Sequence, residues 1–119
     1  MSWIVDASVA VKWFIEDEVH PHAEAVLERL AASPSSFAVP ELFAFETYSV
    51  LMRVHSSGLS AFNDGIMPIL QAGVLRYPMT RILAKTASEF VGFGLSGYDA
   101  CYAALAKQLK STGLTFDRN

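Results

Sequence analysis

At 119 residues, 52% of them hydrophobic and 12% aromatic, the chain has the length of one domain and enough apolar side chain to build a core. A formal net charge of −3 argues against a broad, sequence-independent nucleic-acid surface, while leaving room for a local basic strip. No apolar run approaches the ~20 residues of a membrane span, no terminal stretch has the pattern of a signal peptide, and a lone cysteine, Cys101, excludes a disulfide framework, so a reducing cytoplasm is the expected compartment.

In chain order, Ser2 to Val5 reads as a strand, apolar at Trp3, Ile4 and Val5, and Asp6 ends it. Ala7 to Ile15 is expected to be helical, with Val9, Ala10 and Trp13 turned inward. Asp6 can serve as N-cap of that helix, Asp being among the best cap residues, and can equally aim a carboxylate into the crevice at the end of the strand; the two roles are compatible. Glu16, Asp17 and Glu18 form an acidic run expected to stay solvated. His20 and His22 flank Pro21 without a third ligand nearby, which speaks against structural zinc. From Pro21 a helix sets Ala25, Val26, Leu27 and Leu30 on one side and Glu24 and Glu28 on the other, and Ser33 to Ser36 is a short turn.

Phe37 to Val39 is the second predicted strand. Pro40 is expected to start a helix running to Val54, with Gly58 stopping it. Within it Glu46 falls on the stripe of Leu42, Phe43, Ser49 and Val50, predicted to face inward. A carboxylate there needs an internal partner such as Arg53 or Arg81, or a bound cation, whereas Glu41 is explained by the helix dipole. Ser60 is expected to cap a helix through Ala72 that Pro68 kinks, followed by a strand over Val74 to Tyr77. Thr80 caps a helix from Arg81 to Val91, and Gly92 and Gly94 turn the chain back.

The last stretch, LSGYDACYAALAKQLKSTGLTFD, is predicted to be a helix capped by Ser96, carrying the small residues Ala100, Ala103, Ala104 and Ala106 and ended by Gly113, then a buried strand over Leu114 to Phe116 with Asp117 at its carboxyl end. Cys101 reads as one more small packing residue. Ser96 and Asp99 match a capping box, so Asp99 has a structural explanation of its own. The alternation of strands with helix pairs predicts an α/β domain of three layers, α/β/α, on a central parallel sheet. In such sheets ligands bind outside the carboxyl ends of the strands, where Asp6 and Asp117 are expected, with Glu46 and Asp99 on helices that can converge there. Carboxylates at that range repel unless a cation neutralises them. Hard oxygen ligands select Mg²⁺ or Mn²⁺, and such ions support phosphodiester hydrolysis.

IVDASVAVKWF, VPELFAFE and GLSGYDACYAALAKQL followed by LTFD resemble, in that order and over essentially the whole chain, a PIN domain of the VapC-type ribonuclease toxins of bacterial toxin–antitoxin systems. The resemblance implies a metal-dependent endoribonuclease whose acidic site is Asp6, Glu46, Asp99 and Asp117, with Ser8 and Thr115 as supporting hydroxyls. It also implies an RNA substrate, a homodimer and a cognate antitoxin that enters or covers the site. Family members continue for a further strand after the position of Asp117, so residues 1–119 are expected to form a single PIN-like domain lacking that strand. Lys12, Arg53, Arg81, Lys85 and Arg118 are the candidate phosphate contacts. Two alternatives differ in kind. A receiver-type signalling domain needs paired acids after the first strand, where only Asp6 stands. A catalytically silent PIN-like interaction module would bind through exposed aromatics such as Trp13, Phe14, Phe43 or Tyr48.

Overall fold

The computed structural model describes residues 2–15, 21–110 and 112–114, the last three by their backbone alone. Its strands are β1 (Trp3–Val5), β2 (Phe37–Pro40), β3 (Leu75–Tyr77) and β4 (Thr112–Leu114). The helices are α1 (Ala7–Val11), continued by a 3₁₀ turn at Lys12–Phe14, α2 (Pro21–Ala32), α3 (Leu42–Val54), α4 (Gly58–Ala61), α5 (Met67–Gln71), α6 (Arg81–Gly92) and α7 (Gly97–Leu109). All pairings are parallel, in the order β3-β2-β1-β4.

That order dictates the layers. From β1 through β2 to β3 the chain steps in one direction across the sheet, carrying α1 to α5. From β3 it returns past both to β4, carrying α6 and α7. Right-handed crossovers made in opposite directions place their helices on opposite faces, which gives the expected three layers. The contacts agree: α1 packs on α3, α6 on α7, and α7 crosses both β1 and β2. Ile4, Val5, Phe37 and Val39 supply the sheet's part of the core, and Val9, Phe43, Leu51 and Leu105 close over it from the helices. Burying Phe37 and Phe43 stabilises the fold by roughly 1.5–3 kcal/mol each. Ala100 and Ala104 are fully buried on α7, where a larger side chain would hold the helix off the sheet.

Four boundaries differ from expectation. Pro40 ends β2 rather than starting α3, because the parallel ladder runs to the Pro40–Tyr77 pair and Glu41 N–H then donates to Tyr77 O at 2.8 Å. Gly58 does not stop a helix but begins α4, and Ser60 lies inside that helix instead of capping it. The glycine is needed for close approach: a Cβ there would stand 2.5 Å from Leu51 O. Between α4 and α5 the chain widens into a π-turn at Phe62–Ile66, just ahead of Pro68, whose ring would otherwise meet the carbonyl of Asp64. Finally, α7 ends at Leu109 because Lys110 takes the left-handed conformation, with φ 53° and ψ 49°. Gly113 therefore falls within β4, paired with Ile4, so the strand begins before Leu114; Thr115 and Phe116 lie outside the described residues. The caps by Thr80 and Ser96 are as expected: Leu83 N–H donates to Thr80 Oγ1 at 3.0 Å, and Asp99 N–H to Ser96 Oγ at 3.2 Å.

Candidate functional site

β1 lies inside the sheet between β2 and β4, and the direction of strand addition reverses at the β1–β4 pair. The carboxyl end of β1 is thus the topological switch point, where the crevice of an open parallel sheet forms. Asp6 is the residue that leaves β1 there. Its backbone is extended, with φ −104° and ψ 172°, and its Oδ1 accepts from Ser8 N–H at 3.0 Å, Val9 N–H at 3.4 Å and Ser8 Oγ at 2.6 Å. The capping role and the crevice position coexist. The cap satisfies the first turn of α1 and locks the orientation of the carboxylate.

Glu46 arrives from the other wall. The residues of α3 that fill the core are Phe43, Thr47 and Leu51. Of the stripe predicted to point inward, Phe43 is fully buried and Leu42 and Val50 pack partly buried against the core, whereas Ser49 is exposed. Leu42, Glu46, Ser49, Val50 and Arg53 also line a crevice of about 450 Å³ together with Ala7 and Ser8 of α1 and the exposed Phe45 and Tyr98. The helix is apolar on two sides for two reasons: one packs against the sheet, and the other forms a wall beside its carboxyl end. Glu46 is half-buried on that wall, with Arg53, the partner expected within the fold, beside the same space.

The residue that sequence reasoning missed is Tyr102. On α7 it is only 8% exposed, and its Oη donates to Glu46 Oε1 at 2.7 Å, linking the two helical layers across the end of the sheet. Burial, then the charge of Glu46 and the hydrogen bond to it, then the charge of Asp6 push its phenol far above the ordinary value, with the Ala7 backbone N–H opposing. The hydroxyl therefore remains a proton donor at any physiological pH. A signal existed: Tyr102 stands three residues after Asp99, on the same helical face, and a buried tyrosine needs a polar partner for its hydroxyl.

Ser8 and Glu46 line one crevice, Asp6 adjoins it through its bonds from Ser8, and the charges of Asp6 and Glu46 both act on Tyr102. Asp99 occupies the first turn of α7, exposed, one turn before Tyr102. Asp117, Thr115 and Arg118 lie outside the described residues, as do the acidic run 16–18 and His20. Among the described residues no three carboxylate, thiol or imidazole groups stand close enough to hold a metal ion. Asp6 and Glu46 still fit a hard divalent ion, since Mg²⁺ commonly takes one or two carboxylates and fills the rest of its shell with water. Cys101 is buried, and desolvation followed by the charge of Glu46 raises its thiol, which makes it the inert packing residue expected. Of the candidate phosphate contacts, Arg53 lines the crevice; Arg81 and Lys85 are exposed on α6, and Lys12 is half-buried after α1. Of the aromatics proposed as an exposed docking face, Phe43 is in the core and Trp13 is half-buried with its Nε1–H donated to Ala23 O at 2.7 Å, whereas Tyr48 is exposed.

Fold and site together define a parallel α/β domain with Asp6 at the strand switch point and Glu46 on the wall of a neighbouring crevice. The chain belongs to the PIN domain family, whose model matches residues 3–119, which sets aside the receiver-type alternative. A comparison with curated protein sequences finds no match. Among solved structures, the chain is similar to VapC20 of Mycobacterium tuberculosis, described as a sarcin–ricin-loop-cleaving toxin, at 23% identity and a TM-score of 0.77, with 99% of this chain and 92% of that chain covered. FitAcB from Neisseria gonorrhoeae aligns with a TM-score of 0.76 at 16% identity over 97% of this chain and 87% of that one. A toxin–antitoxin complex from Klebsiella pneumoniae aligns with a TM-score of 0.70 at 16% identity, covering 96% and 85%. At these identities the likeness establishes a shared fold.

Proposed function

We propose that this chain is a VapC-type toxin, an endoribonuclease that hydrolyses RNA phosphodiester bonds with Mg²⁺ or Mn²⁺ held by Asp6, Glu46, Asp99 and Asp117. The observation that carries the reading is Asp6 at the end of β1, bonded by Ser8, beside the crevice that Ser8 and Glu46 line in a PIN domain. A divalent ion bound there would supply activation of water and neutralisation of charge on the phosphate. The chain's own residues do the rest. The α1 cap holds Asp6 in one orientation, Tyr102 holds Glu46, and Ser8 places a hydroxyl at the crevice wall with Thr115 as a second supporting hydroxyl. Arg53 offers a cation for a backbone phosphate, and the exposed rings of Phe45 and Tyr98 border the space that a nucleotide would enter.

In this reading the protein works in the cytoplasm, where the unpaired Cys101 persists as a thiol, and is held in check by a cognate antitoxin. The toxin–antitoxin complex among the structural neighbours supports such a partner. Phe45, Tyr48 and Met52 recur along one exposed side of α3, and covering them in a homodimer or an antitoxin complex would remove apolar surface from water. Among the described residues no helix is long and apolar enough to cross a membrane.

The direct test is cleavage of a fluorogenic RNA with Mg²⁺, with Mn²⁺, and with either ion plus a chelator. Cleavage that needs the ion and stops with the chelator is expected. Wild-type protein, freed of any co-purifying partner, that cleaves no RNA with either ion would favour the silent interaction module instead.

A further inference from the structure

A glutamate on a helix facing an open crevice has three side-chain torsions and no intrinsic reason to hold one of them. Glu46 is half-buried on α3, with Arg53 two turns further along the same wall and Ser8, bonded to Asp6, on the wall opposite. Attraction along its own helix and repulsion from the acid opposite would both draw its carboxylate away from Asp6. One group that holds it belongs to neither α1 nor α3. Tyr102 projects from α7, in the opposite layer, and its hydroxyl reaches Glu46 Oε1 at 2.7 Å, 56 residues distant in sequence. The ring is held in the core at 8% exposure, packed with Ala100, Ala104 and Leu105 of its own helix in one buried cluster. A buried aromatic ring has few accessible rotamers, so the hydroxyl is a fixed donor. A carboxylate has about four lone-pair positions, so one bond can orient it without exhausting it.

From this geometry we infer that Tyr102 is a positioning residue, holding the Glu46 carboxylate at the crevice wall in the orientation that receives a divalent cation. The inference deepens the nuclease reading and rests on it. Hydrogen-bond partners that orient metal ligands commonly account for ten- to hundredfold in affinity, and a buried neutral donor on a rigid ring fits that role.

The test uses Mn²⁺ binding, read by calorimetry and by the electron paramagnetic resonance signal of the free ion, in wild type, Tyr102→Phe, Glu46→Gln and the double variant. Tyr102→Phe keeps the ring and removes only the hydroxyl, so circular dichroism and the metal-free Tm should stay near wild type while Mn²⁺ affinity falls about tenfold or more. Because Tyr102 acts through Glu46, adding Tyr102→Phe to Glu46→Gln should change affinity by less than about twofold. Wild-type affinity in Tyr102→Phe, or an equal loss in both backgrounds, would overturn the positioning role while leaving the metal site intact. Wild-type protein that binds no Mn²⁺ at millimolar concentration would overturn the metal site and the positioning role with it. Should Tyr102→Phe lower the metal-free Tm, affinity measured well below that Tm still decides between the outcomes.

Discussion

Asp6→Asn separates the two roles of Asp6. The substitution keeps an oxygen where Oδ1 accepts from Ser8 N–H at 3.0 Å and Val9 N–H at 3.4 Å, and Asn and Asp are nearly equal as N-caps. What it removes is a charge. At the start of α1 that charge is worth about 0.3–1 kcal/mol through the helix dipole, and losing it is offset by relief of repulsion with Glu46. The metal-free variant should therefore melt within roughly 4 °C of wild type, taking about 1 kcal/mol as that shift for a domain of 119 residues. Asp6→Ala loses the cap as well and should sit about 1 kcal/mol lower. The metal-linked part behaves differently. At a Mn²⁺ concentration about 100 times its Kd, wild type gains about 2.7 kcal/mol; a hundredfold weaker site at the same concentration gains about 0.4 kcal/mol. The melting shift on adding Mn²⁺ should shrink from roughly 11 °C to roughly 2 °C by differential scanning fluorimetry, and RNA cleavage should fall by orders of magnitude. Asp6→Asn that keeps both the metal-induced shift and the cleavage would refute the assignment of Asp6 as a ligand.

Arg53→Ala, on the crevice wall, should weaken RNA binding and make the slope of log affinity against log salt shallower by about one; an unchanged slope in a salt titration would show that Arg53 touches no phosphate. Gly58→Ala should destabilise by about 1–3 kcal/mol in urea unfolding, because its Cβ would meet backbone atoms, Leu51 O at 2.5 Å and Met52 Cα at 2.9 Å, and these can yield only if α3 and α4 move apart; a wild-type midpoint would mean that they do. The phenol of Tyr102 is raised in the folded state, so it contributes stability that is complete below the ordinary tyrosine value near 10 and is lost as pH rises above it. Urea midpoints of wild type should fall from about pH 10 upward more steeply than those of Tyr102→Phe, and parallel curves would contradict a buried, proton-holding hydroxyl.

What the chain settles by itself is local and periodic. The caps at Asp6, Thr80 and Ser96 follow from side chains that reach a backbone N–H two or three residues on, and the alternation of short apolar strands with helix pairs limits the sheet to parallel pairing. Asp6 at a strand end is legible for the same reason, since a strand and its following cap are contiguous. Positions where one residue type serves two purposes are not. Gly58 carries the signal of a helix stop but is required by the backbone of Leu51, and the left-handed turn that ends α7 falls on Lys110 although Gly113 stands three residues away. Periodicity marked Leu42, Glu46 and Val50 as one face, yet it does not say whether that face meets a core or a crevice. The answer depends on where β1 ends relative to α3. Tyr102 is the clearest case. Its hydroxyl has no meaning until α7, placed in the opposite layer by the return crossover to β4, brings it to Glu46 from 56 residues away, because a hydrogen bond of that span is set by the packing of the layers around the sheet and by no neighbour in the chain.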